Sequence, residues 1–145
     1  MMKDSVIGTW RIVSTEVKSE DGQVTYPDGR NPQGFLIYTH EGYFSITIMR
    51  SDRPRYATDD FRGGTTEEKA MAAETFVSYS GTYSLGEGTV THHIVTSLFP
   101  NWVGTDQQRF IEIDSGNLLL STPPFLINGK EQKAYLVWEP AVNMQ

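Results

Sequence analysis

Arg109 is the side chain whose position most demands a chemical explanation. In the run QQRFIEI it alternates with Ile111 and Ile113, while Gln108, Phe110 and Glu112 take the other phase. Residues two apart share one face of a strand, so if the isoleucines point inward the guanidinium does too. A buried guanidinium is costly unless something accepts its hydrogen bonds. Two readings stay open: Trp10 stacks on it while backbone carbonyls complete its bonds, or it awaits an anionic or carbonyl oxygen of a ligand. His92 and His93 are adjacent, so on a strand they point to opposite faces and cannot share one metal ion; no metal site is expected. His92 is in phase with Val90, Ile94 and Leu98, which favours it as the interior member. An interior imidazole, with an unperturbed pKa of about 6.5, suits general acid or base work; the alternative is a hydrogen-bonded structural group. Tyr38 alternates with Leu36, and Tyr83 with Leu85, adding rings whose hydroxyls need partners. His92, Tyr38 and Arg109 are thus the candidate catalytic set: acid or base from the first two, oxyanion or enolate stabilisation from the third.

A second group suits binding. Residues 98–106 place Phe99, Asn101 and Trp102 in a loop at a strand end. They form either the rim of a barrel mouth or a plug folded back into it. With Trp10, Tyr79 and Tyr83 they complete the candidate ligand contacts, because pockets are mostly apolar with a few convergent polar groups. Arg50, Arg53, Arg55 and Arg62 lie together with Asp52, Asp59 and Asp60. Such a run forms solvated surface pairs, or else one or two of its arginines clamp a carboxylate at the entrance.

These side chains need a scaffold, and the periodicity supplies one. In TWRIVSTEV, residues 9–17, Trp10, Ile12 and Ser14 share one face. Asp21-Gly22 then offers a hairpin turn, and His40-Glu41-Gly42 joins strands at 34–39 and 43–50, the second with Phe44, Ile46 and Ile48 on one side. Further strands run over 81–85, 89–98, 107–113, 118–122 and 134–139, with turns at 86–88 and 114–117. Eight or more short strands at regular spacing predict an all-β, closed antiparallel barrel. One short helix interrupts them, from Thr65 to about Tyr79. Thr65 and Glu68 have capping-box spacing, and Met71, Ala72, Thr75, Phe76 and Tyr79 form an apolar stripe. Packed across the barrel, this helix is an end plug or a lid.

Composition narrows the function. The chain has 145 residues, 38% hydrophobic, with a net charge of -6. That is the size of one domain, expected over 1–145, able to bury a core without a structural metal or disulfides. With no cysteine, thiol nucleophiles and thiolate zinc sites are excluded. The acidic balance argues against nucleic acid, and no run approaches the roughly 20 apolar residues of a membrane span. Residues 1–10 hold no signal-peptide core, so a cytoplasmic location is the expectation. G-x-S-x-G, P-loop and G-x-G-x-x-G motifs are lacking, so no cofactor is expected.

Gly8-Thr9-Trp10 at the start of the first strand is similar to the Gly-x-Trp signature that opens lipocalin barrels. The resemblance extends through IGTWRIVS, NPQGFLIYTHEGYFSITIMRSDRP, FVSYSGTYS, THHIVTSLFPNWVGTDQQRF and LLLSTPP to the small lipocalin-like domain family of bacteria and fungi, most specifically at SLFPNWVGT. It implies a closed barrel with a central cavity, in a functionally broad family with some members beside biosynthetic genes. One departure stands out: secreted lipocalins set an Arg of the last strand against the opening Trp, and AYLVWEPA has none. Arg109 could take that job from another strand. The expectation is a barrel that binds a small hydrophobic, aromatic or polyketide-like molecule. The alternative is a cofactor-independent isomerase, cyclase or dehydratase using the same cavity, and a third is a solid-cored partner-binding domain.

Overall fold

The computed structural model describes residues 2–142, so Met1 and residues 143–145 of the expected domain lie outside the described residues. Strands β1 (Gly8–Ser19), β2 (Val24–Thr25), β3 (Gln33–Tyr38), β4 (Tyr43–Met49) and β5 (Phe76–Gly86) are followed by β6 (Thr89–Ser97), β7 (Asp106–Asp114), β8 (Asn117–Ser121), β9 (Phe125–Ile127) and β10 (Lys130–Pro140). They make one antiparallel sheet in the order β2-β1-β3-β4-β5-β6-β7-β8-β10-β9. Pairing of β1 with β10, from Trp10 opposite Pro140 to Ser19 opposite Gln132, closes it on itself. Eight strands therefore form the barrel. β2 and β9 extend β1 and β10 at one end, and closure removes the exposed edges an open sheet would carry.

The barrel has two unlike ends. At one, tight turns at 39–42, 87–88 and 115–116 join β3 to β4, β5 to β6 and β7 to β8. A one-turn helix, α1 (Met2–Val6), closes this end: Val6 is fully buried and Trp10 Nε1 donates to its carbonyl at 2.9 Å. Gly8 makes the join between α1 and β1 possible, because its φ of +139° is a value side chains disfavour. Here lies the reason for Gly-x-Trp: one residue turns the chain, the other ties the cap down. The other end collects the long connections, 50–75, 98–105 and 122–129, together with the β1–β2 hairpin and the 26–32 loop.

Three departures from the periodicity shape the interior. In β1 the register slips between Ile12 and Ser14, so Val13 is an extra, outward residue and the inward phase passes from Trp10 and Ile12 to Thr15, Val17 and Ser19. Ser14 is thereby displaced from the core face it was expected to share. In β5 the helical pattern stops short. Helix α2 is Thr66–Glu74, and Phe76 to Tyr79 already belong to the strand, because Met49 and Ile46 of β4 pair with them. The capping box holds, with Thr65 Oγ1 accepting from the Glu68 amide at 3.1 Å and Glu68 Oε1 from the Thr65 amide at 2.8 Å. The apolar stripe does not: no residue of α2 is buried, since its nominal stripe was completed by residues that left for the sheet. The helix is also accompanied by α1 and by a 3-10 turn at Pro100–Trp102, where a single helix was expected. Finally, β5 and β6 slip register between Ser80 and Gly81, and a Cβ at Gly81 would lie 1.9 Å from the His93 carbonyl oxygen. Only glycine permits this approach.

Candidate ligand-binding cavity

Between the long loops and the barrel floor lies a cavity of about 320 Å³, within the size range of small-molecule pockets. Ile46, Ile48, Val77, Leu120 and Leu136 give it apolar walls; its polar members include Arg109, Thr15, Thr122 and Tyr79 and the carboxylates of Glu16, Asp28 and Glu74. Outside it, a larger hollow of about 660 Å³ is lined by Phe76, Leu98, Phe99 and Leu126. The two share Glu74, Val77, Tyr79, Trp102, Phe125 and Ile127, which stand between them as a sill.

Arg109 faces inward, 4% exposed, as its alternation with Ile111 predicts. It does not stack on Trp10, which is spent on α1. Its guanidinium carbon lies 5.5 Å from the Trp102 ring centre and 6.0 Å from that of Phe125, and Nη1 donates to the Gln108 carbonyl at 3.1 Å. No carboxylate among the described residues lies within 4.0 Å of it. Thr15, also 4% exposed, has its hydroxyl oxygen closed off from the cavity and directed at the Asp28 carboxyl, whose ionised form it favours. Burial nonetheless pushes the Asp28 carboxyl above its ordinary value, with Thr15 and Arg50 opposing.

Tyr38 and His92 are brought together, but not at the cavity. The Tyr38 hydroxyl and His92 Nε2 are 2.8 Å apart, and the imidazole stacks on Phe44 with ring centres 4.1 Å apart. Tyr83 packs edge-on against Tyr38 and donates to the Thr39 carbonyl at 2.8 Å. Neither His92, Tyr38 nor Tyr83 is among the cavity's lining residues. Burial first, then the charge of Arg109 and the neighbouring His93, lowers the His92 pKa to about 3. Burial likewise raises the Tyr38 hydroxyl well above its usual value. Both are neutral across the physiological range, paired with each other beneath the cavity, and poorly placed for acid/base work on its contents. Trp10 and Asn101 are also away from the lining; Asn101 is exposed. Of the expected contacts, Tyr79 and Trp102 line both hollows and Phe99 the outer one. Trp102 packs edge-on to Tyr79 at 5.2 Å, inside a turn fastened by Thr105 Oγ1 donating to the Trp102 carbonyl at 2.7 Å.

In the arginine-rich loop, Arg50 and Arg53 are engaged by protein partners. Arg50 pairs with Asp52 at 3.0 Å and donates to the Pro27 carbonyl at 3.2 Å. Arg53 braces α2 instead, donating to Thr75 Oγ1 at 3.0 Å and the Ala72 carbonyl at 3.2 Å. His93 faces outward in a chain with Ser84 (3.1 Å) and Asp106 (2.8 Å). The order is that of a hydrolytic triad, but backbone amides around it are spent in ladders on both sides of β6, which leaves no paired donors for an oxyanion. Sequence reasoning missed Thr15, Asp28, Thr122, Phe125 and Ile127. Phe125 and Ile127 sit in a strand of three residues after Pro123-Pro124, too short for alternation to register.

The fold and cavity define a closed antiparallel barrel built as a container. A family model described as a lipocalin-like domain matches residues 7–141, and the chain belongs to that family. The 4'-hydroxy-3'-methoxypropiophenone carrier protein of Aspergillus oryzae is 35% identical over 103 residues, covering 65% of this chain and 93% of that protein. Among solved structures, a lipocalin-like protein from Bacteroides uniformis matches with a TM-score of 0.49 at 14% identity, covering 94% of this chain and 99% of that one. An uncharacterised protein from Bacteroides eggerthii gives 0.45 at 13% identity, covering 92% and 98%.

Proposed function

We propose that this protein binds and carries a small aromatic molecule with an oxygen substituent, such as an aryl ketone or a phenol, without transforming it. One observation carries the reading: a largely apolar cavity of about 320 Å³ lined by the buried Arg109 guanidinium, which no carboxylate among the described residues pairs. Leaving a guanidinium so little bonded is expensive in a finished core, and a ligand oxygen supplies what it lacks. Trp102, Phe125 and Tyr79 give the same space aromatic walls suited to a flat ring. Carriage is favoured over catalysis because the titratable pair Tyr38–His92 is consumed in its own hydrogen bond. The Aspergillus relative, named for carrying an aryl ethyl ketone with phenol and methoxy groups, points to the same ligand class.

The test is a titration with 4'-hydroxy-3'-methoxypropiophenone, followed by tryptophan fluorescence. Saturable one-to-one binding is expected, with most of the signal lost in Trp102→Phe, since that indole stands on the sill. A well-folded wild type that fails to saturate up to millimolar ketone would overturn the reading.

A further inference from the structure

The cavity is not only apolar with a polar spot; its polar spot is a cation without a counter-ion. Of the five N–H donors a guanidinium offers, one bond to a backbone carbonyl is made among the described residues, and no carboxylate is within ion-pair reach. Resting on the carriage reading above, we propose that the ligand is held as an aromatic oxyanion, the ionised form of an acidic phenol, with its charge against Arg109.

The surrounding groups set the sign. From β1 and the 26–32 loop, Glu16 and Asp28 line the cavity, and from α2 Glu74 does; none pairs with Arg109, and Asp28 is the one whose ionised form burial disfavours. From β5 comes Tyr79, and beneath lie Tyr38 and His92, which feel the guanidinium charge and are neutral. The guanidinium is the charged group of this lining that is seated between its aromatic walls, beside Trp102 and Phe125. A phenolate conjugated to a para acyl group spreads its charge over the ring and the ketone oxygen, so it loses less on leaving water than a carboxylate with localised charge. Its flat ring also fits beside Trp102 and Phe125, which already flank the guanidinium. A phenolate preferred tenfold over the phenol lowers the bound ligand's pKa by one unit.

The experiment follows the phenolate absorption band of 4-hydroxypropiophenone across pH, free and with saturating protein. The half-ionisation point is expected to fall by at least one pH unit on wild type, to return to the free value or above on Arg109→Met or Arg109→Gln, whichever folds, and to remain lowered on Arg109→Lys. Thr15→Val is expected to keep most of the shift. Binding with an unshifted midpoint overturns the oxyanion while leaving carriage standing, as does equal affinity for 4-methoxypropiophenone at a pH where the free phenol is ionised. Tighter binding of 4-propylbenzoate than of the phenolate overturns it in favour of a carboxylate site. Failure of both ketones to bind removes the carriage reading, and the oxyanion with it.

Discussion

The two halves of the barrel interior differ in what stands beside their buried polar groups. At the capped end, Trp10 is bonded to Val6, Tyr83 to Thr39, and Tyr38 to His92, all inside a cluster of stacked and edge-on rings. At the open end, Arg109 makes one hydrogen bond and keeps bonding capacity in reserve. Both sets are buried, so exposure alone does not separate structural from functional polar residues. Nor does satisfaction alone, since His92 Nδ1 and the Trp138 indole N–H are buried without partners at the capped end. What separates them is open space within reach: the guanidinium lines a cavity, and the imidazole and indole do not.

The contrast can be broken most forcefully at the capped end. Trp10→Ala removes the indole that closes the barrel and ties α1, and is expected to cost about 3–5 kcal/mol in urea unfolding, while the folded fraction keeps its affinity for the aryl ketone. Next comes acid. His92 is neutral in the fold with a pKa of about 3 against about 6.5 when unfolded, so the unfolded chain binds the extra proton. Stability contributed by this group is present above pH 6.5 and declines as pH falls toward 3, with a slope approaching about 1.4 kcal/mol per pH unit. His92→Gln, which keeps a partner for the Tyr38 hydroxyl, should flatten the decline in thermal melts taken between pH 7 and 4. At the open end the signs reverse: Arg109→Met replaces an unpaired buried cation by a side chain of similar reach, so melting is expected to be unchanged or higher while phenol binding falls at least tenfold in the fluorescence titration. Smallest is Asp28→Asn. Removing a carboxyl from the cavity wall should tighten phenolate binding about two- to fivefold without changing the affinity for the methoxy analogue, read by the same titration.

Alternation was legible at both ends of the barrel wherever the period of two ran unbroken. Phe44, Ile46, Ile48, Arg109 and His92 all face inward as their phases require, because nothing interrupts the period of two along those stretches. The partnership of His92 with Tyr38, 54 residues apart, depends on barrel register, which no local pattern encodes. Thr15 was hidden by a single extra residue: past Val13, every side chain of β1 changes face. Asp28 was hidden by lying in a loop, where periodicity does not operate. Helix α2 shows the converse failure, since Phe76 and Tyr79 fit a helical spacing while their pairing with β4 makes them strand. Long-range pairing overrode the local propensity there.

That same helix is loosely held. Every residue of α2 is outside the core, and it is held by the Arg53 clasp on Ala72 and Thr75 and by Glu68 accepting from the Ala57 amide at 2.8 Å. Swinging it away exposes almost no apolar surface, so the motion breaks a few hydrogen bonds rather than part of a core, and belongs among the low-energy openings a fold permits. Its carboxy-terminal residues, Ala73 and Glu74, border the outer hollow, and Glu74 also the cavity. Amide exchange in α2 is therefore expected to be fast beside that of the barrel strands.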